Sequence, residues 1–150
     1  KHGGRFSPAH GSHQSGRDID IWLPTLRGVF KPKYLTESGD EKFGRRPNPE
    51  EVDWFATWGL IRALVEGGNV AHIFLEYDLQ EKVYRAAQLM GATEEELAAA
   101  IQWPRGRFAS GVVAHSDGHI GHIHVRFRCG PHDTDCVEGI RREDADEHGD

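Results

Sequence analysis

Residues 122–128 (HIHVRFR) combine two histidines and two arginines with a regular apolar alternation. Side chains of a strand point alternately to its two faces. The apolar residues therefore share one face, and the other face carries His122, His124, Arg126 and Arg128. Two imidazoles held side by side on a rigid element are suited to bind a metal ion or to exchange protons near neutral pH.

Residues 17–23 (RDIDIWL) alternate in the same way and supply carboxylates. Asp18 and Asp20 share one face of the predicted strand. The other face, which we predict to be buried, carries Ile19, Ile21 and Leu23. His13 precedes Asp20 by seven residues, in a segment that we expect to fold back over the carboxylate face.

These two strand faces predict a zinc site. A catalytic zinc ion takes three protein ligands and leaves one position open for water. His13 and Asp20 would supply two ligands, and one of His122 and His124 would supply the third. The remaining histidine would then act as a general acid and base. The alternative interpretation is that both faces are solvated polar surfaces that neither bind a metal nor take part in catalysis. With ten histidines in 150 residues, such spacings between histidines and aspartates can arise by accident.

The rest of the chain predicts the elements that position these strands. Asn48 and Pro49 have the residue types of a helix start, and Thr93 with Glu96 forms a capping box. The predicted elements are a helix from residue 48 to 67 or 68, a buried strand over 70–75, a helix over 79–90, a short helix over 93–102, and loops over 24–48 and 103–118. They predict an α+β fold in which helices pack on a small antiparallel sheet, with the zinc site on the sheet face.

Composition excludes several classes of protein. The sequence is 37% hydrophobic and 28% charged, with a net charge of −6, and no apolar run reaches the roughly 18 residues of a membrane span. Residues 138–150 contain six acids and two arginines, which predicts an acidic, flexible tail after a domain over 1–137. The remaining body is mildly acidic, so nucleic acid is not an expected partner.

Two motifs resemble those of the penicillin-insensitive murein endopeptidases, which belong to the wider lysostaphin and D-Ala-D-Ala peptidase group of zinc enzymes. The motifs are residues 10–20 (HGSHQSGRDID) and 119–129 (HIGHIHVRFRC). Their order and spacing agree with that family, as does Trp22-Leu23 after the first motif. Only nine residues precede His10, fewer than in family members, so we expect the N-terminal part of the domain to be shortened, replaced or removed.

The resemblance assigns roles to individual residues. It implies that His13, Asp20 and His124 bind one zinc ion per chain, and that His122 is the catalytic residue. It also makes His10 and His119 further active-site histidines. His119 would share the proton transfer with His122 or orient the zinc ligands.

Asp18 and Arg126 lie on the same faces as the expected site. Asp18 would hydrogen-bond a ligand histidine or remain a solvated carboxylate. Arg126 and Arg128 would bind a substrate carboxylate or be solvated. Cys129 and Cys136 enclose a short loop, and we predict a disulfide rather than a metal site with His132, because a fourth ligand is lacking.

The resemblance implies a function on peptidoglycan, namely cleavage of cross-links between D-alanine and meso-diaminopimelate by a zinc-activated water with histidine as acid and base. A periplasmic or secreted location follows from that substrate and from the expected disulfide. Three alternatives stay open, which are a D,D-carboxypeptidase, an exported cell-wall toxin or lysin, and a non-catalytic cell-wall-binding domain. No transmembrane segment is expected, and the sequence does not indicate an oligomeric state.

Overall fold

Nine helices and strands are present in the part of the chain that the computed structural model describes, which is residues 16–26, 33–35, 41–43, 48–132 and 136. They are, in order, β1 (Asp18–Trp22), β2 (Lys33–Leu35), β3 (Glu41–Phe43), α1 (Trp54–Glu66), β4 (Val70–Phe74), α2 (Tyr77–Leu89), α3 (Glu94–Ala100), β5 (Val113–Ala114) and β6 (His122–Phe127). The predicted α+β class is confirmed. None of the helices among these residues is long and apolar enough to cross a bilayer.

The main sheet has four strands in the order β1-β6-β4-β5. Strand β6 pairs antiparallel with both β1 and β4, whereas β4 and β5 are parallel. The prediction of an antiparallel sheet is therefore wrong in part, because the sheet is mixed. Strand β5 is only two residues long and lies within the predicted loop 103–118, so it is too short to produce a recognisable alternation. Strands β2 and β3 form a separate antiparallel pair within the predicted excursion 24–48.

One face of the main sheet is the core face. Ile73 of β4 and Val125 of β6 are fully buried there, and Ile123 is almost so. Helix α1 packs against β4 and α2. The strands therefore present their apolar side chains to the helices, which leaves the opposite face for polar residues.

Strand β1 is less buried than its alternation predicts. Leu23, directly after the strand, is buried and Ile21 is half-buried, but Ile19 is 48% exposed. Strand β1 is an edge strand, and the helix that covers the sheet packs on β4, two strands away. The helices therefore do not cover the apolar face at the start of β1, where Ile19 lies.

Helix α1 begins later than predicted. Its N-cap is Asp53, whose Oδ1 accepts a hydrogen bond from the Ala56 N–H at 2.9 Å. Residues 48–51 instead form a turn, and the following two residues bond to an earlier segment, through a Thr25–Val52 bridge and an Asp53 N–H donated to the Pro24 carbonyl. These long-range backbone bonds replace the helical ones that local propensity favours. The predicted ends of the other two helices lie within two residues of the observed ends, and the predicted capping box of Thr93 and Glu96 is present.

The predicted disulfide between Cys129 and Cys136 is present. It closes a short loop directly after β6, the strand that carries two of the predicted site histidines. We expect the double variant Cys129→Ser/Cys136→Ser to lower the free energy of unfolding by about 2.5 kcal/mol, because the cross-link restricts the unfolded chain. Urea denaturation measures this change. Reduced wild-type protein is the matched control and should give the same loss, and equal stability of all three forms would contradict the prediction.

Candidate active site on the polar face of the sheet

The polar face of the sheet is built by the pairing of β1 with β6. In the antiparallel register Asp18 lies opposite Arg126, Asp20 opposite His124, and Trp22 opposite His122. The two predicted polar faces therefore combine into one surface, because residues directly opposite each other on an antiparallel pair point to the same side. Ring contacts add Phe74 of β4 to this surface.

His124 lies between two carboxylates. Its Nε2 is 2.8 Å from Oδ1 of Asp18, and its Nδ1 is 3.2 Å from Oδ1 of Asp20. The histidine is buried, as is the side chain of Asp18, whereas Asp20 lies at the surface. A carboxylate only accepts, so Nε2 carries a proton and donates it to Asp18. This bond fixes the orientation of the imidazole and turns Nδ1 towards Asp20.

Asp18 is held at the same time by Arg126. The guanidinium Nε donates to Asp18 Oδ1 at 2.7 Å, and the two side chains are only 1% and 11% exposed. Burial alone raises the pKa of Asp18, but hydrogen bonds from His124 and Arg126 outweigh it and hold the pKa below its ordinary value of 3.8. Arg126 also lies over the ring of Phe74, 5.7 Å from its centroid. Its Nε therefore orients Asp18, a contact that neither of the two predictions for Arg126 included.

Three histidine rings meet at this surface. The ring of His119, on the loop before β6, lies 5.1 Å from that of His122 and 5.6 Å from that of His124, measured between centroids. His122 Nε2 is 3.7 Å from Asp20 Oδ1. Burial lowers the pKa of His119, and the nearby His122 and His124 lower it further. The carbonyl of Asp117 and the carboxylate of Asp20 raise the pKa, but the lowering effects are larger. A neutral imidazole at neutral pH is the result, and that form can accept a proton.

The structure brings together most of the predicted site residues. Asp18, Asp20, His119, His122, His124 and Arg126 are all on or beside the polar face. His10 and His13 lie outside the described residues, so their predicted roles remain predictions. Within the residues that can be described, no group of three or more His, Cys, Asp or Glu side chains has an arrangement that could hold a metal ion.

Phe74 also belongs to this site, although it was not among the predicted site residues. Its ring packs edge-on against His124 at 5.5 Å and tilted against His119 at 6.1 Å, measured between centroids. Phe74 therefore forms an apolar wall beside the imidazoles. The sequence predicted only that this residue lies in a buried strand. A single aromatic residue in an apolar run does not indicate a functional site.

The fold and the site thus define an α+β protein whose sheet carries a histidine–aspartate cluster on its polar face. The chain is homologous to proteins named penicillin-insensitive murein endopeptidase, which confirms the resemblance drawn from the two motifs. No protein-family model matches the sequence.

Three relatives illustrate the similarity. The protein of that name from Yersinia pestis is 28% identical over 150 residues, and the one from Pectobacterium atrosepticum is 30% identical over 140 residues. The Klebsiella pneumoniae protein is 26% identical over 147 residues. Each alignment covers 91% of this chain but only 44–45% of the relative. The chain therefore spans less than half the length of these relatives.

Proposed function

We propose that this chain is the catalytic part of a zinc-dependent murein endopeptidase that hydrolyses peptide cross-links of peptidoglycan. The observation that carries the proposal is the position of His124, which is held between Asp18 and Asp20 on the polar face beside His119 and His122. The names of the homologous proteins support the substrate class.

The contact between His124 and Asp20 fits a shared cation. When His124 is neutral and donates from Nε2, its Nδ1 and the Asp20 oxygen are both acceptors, yet they lie 3.2 Å apart. A positive charge between them, either a second imidazole proton or a metal ion, relieves this repulsion. Ligands about 2.0–2.1 Å from a tetrahedral zinc ion lie about 3.4 Å from each other, close to the observed spacing.

His13 would complete the ligand set with Asp20 and His124, for one zinc ion per chain. The hydrogen bond from His124 Nε2 to Asp18 supports this assignment, because a histidine that binds metal through one nitrogen usually donates the other to a carboxylate. Arg126 then holds Asp18 in place. Zinc bound here would activate a water molecule and polarise the scissile carbonyl.

His122 and His119 would move the protons of the reaction. His122 Nε2 lies near Asp20, at 3.7 Å, so it is next to the expected ligand set without being required for it. His122 would take a proton during attack on the peptide and return it to the leaving amine. His119 is neutral and lies against His122, so it can share this transfer.

The expected bond is the one between D-alanine and meso-diaminopimelate in the cross-link. The wall substrate and the disulfide between Cys129 and Cys136 together support a periplasmic or secreted location. Peptidoglycan is then the partner of the polar face.

Mass spectrometry of purified cross-linked muropeptide dimers tests this function, with metal analysis of the same protein. We expect one zinc per chain, and we expect dimers to become monomers with uptake of one water per cross-link. A chelator should abolish the reaction and added zinc should restore it, because the metal supplies the activated water.

Other results would exclude the proposal. Loss of terminal alanine from intact dimers would indicate a D,D-carboxypeptidase. Unchanged dimers that bind to the protein would indicate a wall-binding domain. Cleavage by metal-free protein would contradict the zinc assignment while leaving the peptidase activity.

A further inference from the structure

We propose that His115 and Asp117 are positioning residues that hold His119 with its proton on Nδ1 and a basic Nε2 available to the reaction. The inference deepens the proposed function and rests on it for the role of His119. The residues belong to the 115–119 loop, which is the first part of the 115–121 connection between β5 and β6.

His115 is fixed at three points. Its backbone N–H donates to Oε1 of the buried Gln102 at 2.6 Å, and its Nδ1 accepts the backbone N–H of Tyr77 at 3.1 Å. Its Nε2 lies 3.1 Å from Oδ1 of Asp117. Only 13% of the side chain is exposed. The ring therefore has one orientation, set by the start of α2 and by the core.

These contacts determine the tautomer of His115. Because Nδ1 accepts from Tyr77, the proton of the neutral ring is on Nε2, where it is donated to the carboxylate of Asp117. Arg107 Nη1 is 3.4 Å from the same nitrogen. A guanidinium has only donors, so this second contact is not a hydrogen bond in that tautomer. His115 thus donates a hydrogen bond to Asp117, whose side chain is 89% exposed.

The backbone of Asp117 in turn orients His119. The Asp117 carbonyl lies 3.1 Å from Nδ1 of His119. A carbonyl only accepts, so Nδ1 carries the proton and Nε2, on the other side of the ring, is the basic atom. Gly118 between them has φ +78°, a conformation that glycine adopts without strain and that reverses the chain over this short distance.

The start of α2 anchors both ends of the loop. The N–H of Tyr77 binds the His115 ring, and the N–H of Glu76 donates to the His119 carbonyl at 3.0 Å. Two successive amides therefore set the distance between His115 and His119. The position of the His119 ring follows from this spacing and from the Asp117 carbonyl, rather than from β6.

Two variants remove the connection without touching His119. In His115→Asn the amide oxygen can still accept from Tyr77, but the side chain no longer reaches Asp117. In Asp117→Ala the carboxylate is lost. We expect each to lower kcat about tenfold with KM unchanged, which is in the range for partners that orient site residues. Asp117→Asn should restore the activity, because its amide oxygen can still accept from His115 Nε2.

Asp78→Ala is the matched control. Asp78 is also an exposed carboxylate near Arg107, with Oδ1 3.8 Å from Nη2, but it makes no contact with His115 or His119 among the described interactions. Its kcat should match that of the wild type. Thermal denaturation of all variants separates a loss of fold from a loss of orientation, since a merely structural role would lower the melting temperature and kcat together and would not be corrected by Asp117→Asn.

Long-range ¹H–¹⁵N correlation spectra of the histidine rings give a readout that does not depend on activity. We expect the Nε2–H tautomer for His115 and the Nδ1–H tautomer for His119 in the wild type, and a larger Nε2–H fraction for His119 in His115→Asn and Asp117→Ala. Unchanged His119 signals in both variants would overturn the inference. A wild type that shows these tautomers but cleaves no muropeptide would instead overturn the proposed function.

Discussion

Replacement of His122 by alanine is expected to lower kcat on cross-linked muropeptides by about 10³-fold, within the range for loss of a general acid and base. Zinc content should stay at one per chain, because the expected ligands are His13, Asp20 and His124. The physical reason is the position of His122 Nε2, which is 3.7 Å from Asp20, next to the ligand set but outside it. Activity assays with metal analysis of the same preparation measure both quantities.

Two further variants give this experiment its controls. His132→Ala removes an exposed imidazole from the disulfide loop and should change neither activity nor zinc content. His124→Ala should lose zinc and activity together. If His122→Ala kept its activity, or lost its zinc, the separation of catalytic and ligand histidines would be wrong.

Replacement of Asp18 by alanine is expected to destabilise the protein by about 3–5 kcal/mol, because it leaves the largely buried Arg126 without its carboxylate. That loss is a large part of the roughly 5–15 kcal/mol that stabilises a typical domain. His124 would also lose the hydrogen bond that orients it, so zinc affinity should fall about 10–100-fold. Urea denaturation and zinc titration measure the two effects.

The pH dependence of stability tests the same contact. The pKa of Asp18 is lower in the folded protein than its ordinary value of 3.8. Such a carboxylate stabilises the fold above its unfolded pKa, and this contribution is lost as the pH falls through the lower, folded pKa. As the pH falls from 7 to below 3.8, the free energy of unfolding should therefore decrease less for Asp18→Asn than for the wild type. Asp78→Asn, an exposed carboxylate control, should follow the wild type, and identical pH profiles for all three proteins would contradict this role of Asp18.

Alternation along single strands accounts for the part of the site that was predictable. Asp18 and Asp20 share a face, as do His122 and His124, because neighbouring side chains of any strand point in opposite directions. A helix start was also predictable where neighbouring residues determine it, as in the capping box at Thr93. The start of α1 was not predictable from Asn48, because the backbone of residues 51–53 bonds to residues 24–26.

Contacts between distant segments account for the part that was not predictable. His115 gave no functional signal in the sequence, and its role emerges only where Tyr77 and Asp117 meet its two ring nitrogens. In the sequence Phe74 is part of an ordinary apolar run. Only the pairing of β4 with β6 places its ring against His124.

The sequence by itself determined which residues are available on each strand face, since that depends only on the chemistry and alternation of a few neighbouring residues. It also determined the family resemblance, through the two motifs that begin at His10 and His119. Only the tertiary structure decided that β6 lies between β1 and β4. Its pairing with β1 holds His124 between two carboxylates, of which Asp18 is 106 residues away in the chain. Pairing across such a distance depends on the packing of the whole sheet against its helices, which no local pattern encodes.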